Sequence, residues 1–192
     1  QSFSVGVRWP MSPNAIAAAL FAYLTKRIRH FGYFFIVPTT IGFLLYFAGA
    51  YCTPIVFVGV VAWTLVEYLV HRVGFHWFSI GRALHQRHHD QPHNLDAERS
   101  SLTTPIIAFP IGLFLIGIAG VKDGSAIFAG VLLGYLAFIL IHHIIHRWQV
   151  GPSSWLYRAK MRHLVHHHLE NCNYGVTTGA WDAVFRTYAP DG

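Results

Sequence analysis

Two long apolar stretches dominate the hydrophobic pattern of this chain. Residues 31–70 contain a single charged side chain, Glu67, and residues 105–145 contain charges only within the segment KDGS at 122–125. A membrane-spanning helix needs about 20 apolar residues, so each stretch is long enough for two. Glycine and proline in GAYCTP (49–54) predict a turn in the first stretch, as KDGS does in the second. We therefore predict four transmembrane helices in two hairpins, at about 31–50, 54–76, 105–121 and 125–147.

The N-terminal segment differs from these stretches. Residues 12–30, SPNAIAAALFAYLTKRIRH, combine an apolar body with a basic end. This pattern predicts an amphipathic helix that lies along the membrane surface. We therefore divide the chain into an interfacial segment, 1–30, and an all-α integral membrane domain, 31–192.

The composition supports a membrane protein. Of the 192 residues, 54% are hydrophobic and only 11% are charged, and the mean hydropathy is +0.41. A soluble domain of this size needs more charge to cover its surface. The formal charge of +6 does not indicate nucleic-acid binding, because lysine and arginine are scattered beside apolar runs and form no basic stripe. Cys52 and Cys172 form no Cys-x-x-Cys pair, and we interpret each as a small buried side chain.

The basic residues predict the orientation of the four helices. Of the fourteen lysines and arginines, Lys122 alone falls on one predicted side of the membrane. Short loops rich in lysine and arginine remain in the cytoplasm, so the opposite side, with both termini, is predicted to be cytoplasmic. The residues on that side are Arg8, Lys26, Arg27, Arg29, Arg72, Arg82, Arg87, Arg99, Arg147, Arg158, Lys160, Arg162 and Arg186.

Thirteen of the fourteen histidines gather at this cytoplasmic face, and His30 lies on the same side but apart from them. Residues i, i+3 and i+4 share one face of a helix. The pattern His-x-x-His-His occurs at 85–89 and again at 163–167, and His142 and His146 are one turn apart. Together with 71–76 these segments offer ten neutral imidazoles, which are too many for one metal ion and suit two.

His71 and His76 do not follow the same spacing. They are five residues apart, which would point their side chains about 140° away from each other on a regular helix. Either these two residues bind different metals, or the helix breaks at Gly74.

Ligand type alone does not select the metal, because zinc, copper, iron and nickel all accept imidazole. A structural zinc needs four ligands, so ten predict two metals with open positions and oxygen chemistry on a lipid. Soluble di-iron bundles use Glu-x-x-His pairs. This sequence has none, and its three glutamates are Glu67, Glu98 and Glu170. An all-histidine di-iron centre beside the membrane is the remaining class.

Four motifs resemble the fatty acid hydroxylase/sterol desaturase superfamily, and most closely its fatty acid 2-hydroxylase branch. They are EYLVHRVGFH (67–76), HQRHH (85–89), HHIIH (142–146) and HLVHHHLENCNYGVTTGAWDAVFRT (163–187). The resemblance implies a four-helix anchor with a cytosolic helical cap, at about 77–104 and 148–192, whose histidines hold two irons. The implied ligands are His71, His76, His85, His88, His89, His142, His146, His163, His166 and His167.

The activity implied by the resemblance is O2-dependent hydroxylation of an aliphatic C–H bond in a membrane lipid, a fatty acyl chain or a related molecule. No catalytic residue is expected beyond the metal ligands, and the expected cofactors are two iron ions, for which zinc can substitute in purified protein. The reaction needs two electrons, and the sequence has no nucleotide-binding glycine motif, no Cys-x-x-Cys-His and no iron–sulfur spacing. We therefore expect an external donor, a ferredoxin or a cytochrome b-type haem protein.

Several other residues are candidates for contacts behind the metal ligands or with lipid. Carboxylates and further histidines near the motifs are expected to orient imidazole N–H groups, with solvent exposure as the alternative. These candidates are Asp90, His143, His168, Glu170 and Asp182. Trp181 and Asp182 follow Gly179 and predict a short helix. Aromatic residues such as Trp77 and Phe78 fit either an acyl tunnel or an interfacial belt.

Two classes of alternative stay open at this point. A desaturase, a sterol oxidase or a carotenoid hydroxylase would use the same metal centre, because desaturation and hydroxylation begin with the same hydrogen abstraction. A metal transporter or a membrane cytochrome belongs to a different class. Such proteins place polar ligands near the middle of the bilayer, whereas here the middles of all four predicted spans lack histidine and charge.

Overall fold

The computed structural model describes residues 12–50, 52–94 and 103–189. The side chains of Arg29, His30 and residues 103–106 fall outside this description, as do Arg8 and Arg99, so the predictions for Arg8, Arg29, His30 and Arg99 have no structural counterpart. The described residues fold into helices. They are α1 (Pro13–Phe31), α2 (Tyr33–Ala48), α3 (Thr53–Leu69), a π-helix (Val70–Phe75), α4 (Ser79–Asp90), α5 (Thr103–Arg147), α6 (Trp155–His168) and α7 (Ala180–Phe185).

The first two helices are separated by a bend at Gly32. The α1 helix begins at Pro13, where the Ser12 hydroxyl accepts a hydrogen bond from the Ala15 N–H at 3.2 Å and caps the first turn. The α2 helix continues at an angle of 41° to α1. Its face with Tyr33, Val37 and Leu44 is buried, and this face packs on α5.

The α3 helix and the π-helix form one continuous apolar rod, Thr53–Phe75, that is long enough to cross a membrane. Its contact with α5 is very close. A Cβ atom on Gly59 would lie 2.1 Å from the carbonyl oxygen of Ile127, and one on Gly130 would lie 2.0 Å from that of Val56. Glycine at both positions lets the two backbones touch, and Trp63 packs over Gly134 one turn further on.

The α5 helix is interrupted at Gly120, whose φ of 78° is a left-handed conformation that favours glycine. The two arms on either side fold back on each other. A Cβ on Gly124 would lie 2.5 Å from the Cα of Ile116, and one on Gly112 would lie 2.4 Å from the Phe128 ring. The turn predicted at 122–125 is therefore wrong. Those four residues are helical, and Gly124 is needed for close packing instead of for a turn.

Two helices are long and apolar enough to cross a membrane within the described part of the chain. They are Thr53–Phe75 and Ile107–Arg147, and a third span results if the bent pair of α1 and α2 counts as one. The fold is thus all-helical with two or three candidate spans. The ten histidines predicted as metal ligands lie beyond the apolar core, at the ends of the rod and of α5 and in the helices that follow.

Candidate metal centre

The π-helix brings His71 and His76 to the same side. In a π-helix the backbone hydrogen bonds join residues five apart instead of four, and the Phe78 N–H donates to the Val73 carbonyl in this pattern. The two imidazole ring centres lie 5.4 Å apart. The expectation of divergent side chains on a regular helix is therefore wrong, because the helix is not regular here. It does not break at Gly74 either.

The α4 helix carries the first His-x-x-His-His motif against the π-helix. A Cβ on Gly81 would lie 1.9 Å from the carbonyl oxygen of Gly74, so glycine at this position lets α4 approach the π-helix backbone. His85, His88 and His89 share the face that results. The ring of Phe75 stacks on that of His85, with 5.1 Å between the two ring centres.

The other half of the site comes from the end of α5 and from α6. His142 and His146 are one turn apart in the last turns of α5, and Phe138 stacks on His142 at 5.5 Å. The α6 helix presents the second His-x-x-His-His motif and begins after Ser154, whose hydroxyl accepts a hydrogen bond from the Tyr157 N–H and caps the first turn. His163 and His166 are fully buried against the other segments.

Nine of the ten histidines predicted as ligands form two groups in which the ligand nitrogens lie within 4.8 Å of one another. The tenth, His167, adjoins the second group, because its Nε2 lies 3.1 Å from Nε2 of His163. The first group comprises His71, His76, His85, His89 and His166; the second comprises His88, His142, His146 and His163. The structure thus brings all ten together at one end of the molecule.

The spacing of the Nε2 atoms fits metal ligands better than hydrogen bonds. Nε2 of His146 lies 3.1 Å from that of His88, 3.2 Å from that of His142 and 2.9 Å from that of His163. One imidazole nitrogen carries at most one proton and cannot bond three such neighbours at once. Nitrogens bound to one ion at about 2.0–2.1 Å lie about 3 Å apart when adjacent. The chemistry of the donors therefore fits a metal at each group.

Backbone contacts fix the protonation of two ligands in the first group. The carbonyl oxygen of Tyr174 accepts a hydrogen bond from Nδ1 of His71 at 2.5 Å, and that of Cys172 accepts one from Nδ1 of His166 at 2.7 Å. A carbonyl only accepts, so both rings are protonated on Nδ1 and present an unprotonated Nε2. Among the described residues, the buried Nε2 atoms of His76 and His166 have no hydrogen-bond partner, as expected for atoms that bind a metal.

Burial lowers the pKa of five histidines of α4 and α6 and keeps these five neutral. Loss of solvent lowers the pKa of His166 to about 3 and that of His167 to about 2. The pKa values of His85, His89 and His163 are also below the usual range, for the same reason first, and neighbouring imidazoles lower those of His85 and His163 further. Neutral imidazole is the form that binds metal, so protons do not compete for these sites near neutral pH.

Two buried carboxylates hold the loop that supplies these backbone contacts. Glu67, in α3, accepts hydrogen bonds from the N–H groups of Val176 and Thr177 at 2.7 and 2.9 Å. Asp182, in α7, accepts from the N–H groups of Tyr174 and Gly175, both at 2.9 Å. Sequence analysis gave Glu67 no role, although it is the only charge in a forty-residue apolar stretch, which was the available signal.

The candidates for contacts behind the ligands differ in their positions. Glu170 lies 3.8 Å from Nδ1 of His89, so it is near a ligand. Asp90 accepts a hydrogen bond from Gln86, and His143 lies beside Arg147 and the Phe31 ring. His168 is exposed. Asp182 accepts hydrogen bonds from the backbone N–H groups of Tyr174 and Gly175 and from the Thr187 hydroxyl.

Comparison with known proteins gives a consistent set of relatives. A family model described as fatty acid hydroxylase matches residues 56–187. Fatty acid 2-hydroxylase of Mus musculus is 34% identical over 145 residues, which is 69% of this chain and 39% of that protein. Ceramide very long chain fatty acid hydroxylase scs7 of Schizosaccharomyces pombe is 34% identical over 69% of this chain and 42% of its own length.

A plant relative and a solved structure extend this comparison. Dihydroceramide fatty acyl 2-hydroxylase FAH2 of Arabidopsis thaliana is 33% identical over 69% of this chain and 60% of its own length. The solved structure described as full-length scs7p, with only the hydroxylase domain visible, superposes with a TM-score of 0.71 at 28% identity. It covers 83% of this chain and 64% of that one. The aligned region is thus about two fifths of the length of the mouse and fission yeast relatives.

Proposed function

This chain belongs to the fatty acid hydroxylase family, and we propose that it is a membrane di-iron oxygenase that hydroxylates an aliphatic C–H bond of a lipid. One observation carries the proposal. Ten histidines from four helical segments meet in two adjoining groups, and the Nε2 atoms of eight of them have a neighbouring Nε2 atom at 2.9–3.2 Å. This donor set has the size and the spacing for two metal ions.

The two groups would each hold one iron. His71, His76, His85, His89 and His166 would bind one ion, and His88, His142, His146, His163 and His167 the other. Bound iron would supply the activation of O2 and the removal of hydrogen from an unreactive C–H bond. The protein would contribute neutral, oriented ligands and a site from which water is largely excluded. The tight burial of His163 and His166 supports that second role.

We propose that the substrate is a fatty acyl chain. The relatives are named for hydroxylating fatty acids, ceramide fatty acids and dihydroceramide fatty acyl groups. The site adjoins the ends of two apolar helices, so an acyl chain in the bilayer would lie close to it. Trp77 and Phe78, which are 69% and 66% exposed between the rod and α4, are positioned to contact such a chain at the membrane interface.

Four membrane crossings are part of the proposal. The bend at Gly120 and the packing of Gly124 on Ile116 support two antiparallel crossings within α5, because a straight helix of 45 residues would be about twice the thickness of a bilayer. The α2 helix and the rod Thr53–Phe75 would be the other two. The distribution of basic residues supports a cytoplasmic position for the histidines and both termini.

We further propose that an external ferredoxin or cytochrome b-type haem protein delivers the electrons. Arg158 is exposed on α6 and is available to an acidic partner. Two neighbouring basic residues already have partners inside the molecule. Lys160 donates to the carbonyl of Trp148 at 2.9 Å, and Arg162 donates to those of Gly175 and Val176. Docking by charge would therefore depend on Arg158 more than on these two.

Expression in a host that lacks such an enzyme, followed by mass spectrometry of its lipids, tests the function. The expected product is an acyl chain that is heavier by one oxygen atom. The His88→Ala variant should give none, because His88 is buried within the second group. The His168→Ala variant is the matched control and should be active, because that ring is exposed.

The same experiment distinguishes the alternatives. A desaturase would give a chain that is lighter by two hydrogen atoms, and a sterol or carotenoid oxidase would leave the acyl chains unchanged. Metal uptake without any modified lipid would support a transporter. Full activity of His88→Ala would contradict the assignment of the metal centre.

A further inference from the structure

The peptide group between Tyr174 and Gly175 is hydrogen-bonded at both ends, to a histidine at its carbonyl oxygen and to a carboxylate at its N–H. Its carbonyl oxygen accepts the Nδ1 proton of His71 at 2.5 Å, and its N–H donates to Oδ2 of Asp182 at 2.9 Å. Asp182 is completely buried, and its Oδ1 accepts from the Tyr174 N–H at 2.9 Å and the Thr187 hydroxyl at 2.7 Å. A carboxylate thus lies behind His71, with one peptide group between them.

We propose that Asp182 is a positioning residue that strengthens His71 as a metal ligand through this peptide group. An amide whose N–H donates to a carboxylate carries more negative charge on its carbonyl oxygen, because hydrogen bonds in a chain polarise one another. The carbonyl then accepts the Nδ1 proton of His71 more strongly, and Nε2 of that ring becomes a better donor to a metal. The proposal rests on the proposed function in that His71 must bind a metal.

His166 has the same arrangement without the charge. Its Nδ1 donates to the carbonyl oxygen of Cys172 at 2.7 Å, and the N–H of that peptide group, on Asn173, donates to the carbonyl of Thr187 at 2.7 Å. A neutral carbonyl therefore occupies the position that the Asp182 carboxylate has behind His71. Both histidines belong to the first group, so the two ligands differ in the strength of their support.

Glu67 provides a matched comparison for Asp182. It is also buried, at 4% exposure, and it holds the same loop by two backbone N–H groups, those of Val176 and Thr177. The carbonyls of these two peptide groups, on Gly175 and Val176, accept hydrogen bonds from Arg162 and not from a histidine. Loss of either carboxylate should destabilise the loop, but loss of Asp182 should also weaken a metal ligand.

Zinc titration of the full chain in detergent tests this connection from Asp182 through the peptide group to His71, which we call the relay. Wild-type, Asp182→Asn and Glu67→Gln proteins are stripped of metal and titrated with Zn²⁺ against a chromophoric chelator, and the thermal unfolding of the metal-free proteins is measured in parallel. Asp182→Asn should weaken one of the two zinc sites by about 10–100-fold and leave the other unchanged. The visible absorption of Co²⁺ at the weakened site should shift. Glu67→Gln should unfold at a lower temperature with both affinities unchanged.

The outcomes separate the relay from the proposed function. Equal losses of zinc affinity in the two variants, or no loss in Asp182→Asn, would overturn the relay and leave Asp182 a purely structural role. A wild-type chain that does not bind two ions would overturn the proposed function instead. If Asp182→Asn does not fold, NMR of the metal-free wild-type protein decides. The Nδ1 proton of His71 should resonate further downfield than that of His166, and the reverse order would refute the proposal.

Discussion

The contact between α3 and α5 and the histidine end of the molecule are built in different ways. Where Gly59 and Gly130 face each other, backbone meets backbone and no space remains for another carbon atom. At the histidine end, the segments meet through imidazole rings, and the loop between α6 and α7 is held by buried carboxylates. The first region depends on the absence of side chains and the second on placed polar atoms. Stability and chemistry are therefore sensitive to different kinds of substitution.

Removal of a single ligand should have the largest effect, and it should be confined to the histidine end. His166→Ala removes a ligand of the first group and His163→Ala one of the second, so each variant should retain one of two metal ions. Hydroxylation should fall to background in both. Metal analysis after reconstitution and lipid mass spectrometry measure these effects.

Circular dichroism of the same variants checks that the contact between α3 and α5 is intact. The helical signal should match that of the wild type, because the glycine contacts between α3 and α5 are untouched. A general loss of helix in either variant would mean that the two regions are not separable as described.

The next largest effect should come from a methyl group at the junction of α4 and the π-helix. Gly81→Ala would place Cβ 1.9 Å from the Gly74 carbonyl oxygen and push α4, with its three ligands, away from the π-helix. Metal affinity should fall by at least the roughly 10–100-fold typical of lost outer contacts. Gly74→Ala is the matched control. Its Cβ would meet a Val70 methyl at 3.6 Å, an ordinary contact, so zinc affinity should be retained.

A methyl group between α3 and α5 should lower stability without changing the metal sites. In Gly130→Ala the Cβ would lie 2.0 Å from the Val56 carbonyl oxygen, and the helices must separate. We expect a loss of about 2 kcal/mol in the free energy of unfolding in detergent. Gly117→Ala has open space around it and should stabilise the helix by about 0.5–1 kcal/mol. Equal unfolding free energies for the two variants would contradict the close approach.

The smallest effect should come from the hydrogen bond that links the two regions. The indole N–H of Trp181, in α7, donates to the hydroxyl of Thr64, in α3, at 3.0 Å. Trp181→Phe should lower the free energy of unfolding by about 1 kcal/mol and leave zinc affinity unchanged. The exposed Trp148 serves as control, and Trp148→Phe should unfold like the wild type. A change in zinc affinity for Trp181→Phe would mean that this bond also positions the metal ligands.

Local spacing predicted the candidate site better than it predicted the course of the backbone. Histidines at i, i+3 and i+4 share a helix face in any context, so the motifs at 85–89 and 163–167 could be interpreted without coordinates. The position of the turn in the second apolar stretch could not be predicted in this way. Gly120 and Gly124 are both glycines beside polar or small residues, and their roles, one in a turn and one in packing, depend on the opposing arm.

The sequence offered Asp182 as a candidate behind the ligands, but the groups that Asp182 and Glu67 bond to could not be predicted, for a different reason. Glu67 bonds to Val176, 109 residues away, and Asp182 reaches His71 only through a backbone peptide. Neither partner is a side chain whose type could have suggested the pair. The relation of His71 to His76 was equally hidden, because a π-helix has no distinct pattern of residue types in this sequence.

The π-helix also uncouples the directions in which side chains point at the two ends of the rod. Adding one residue to an α-helix rotates everything beyond it by about 100°, and the wider turn at Val70–Phe75 accommodates such a residue locally. The surface that α3 turns toward lipid and the surface that presents imidazoles therefore follow separate helical phases. Deletion of one residue in this segment would restore a single phase and swing His76 out of the first group, while the rod before it kept its alignment in the bilayer.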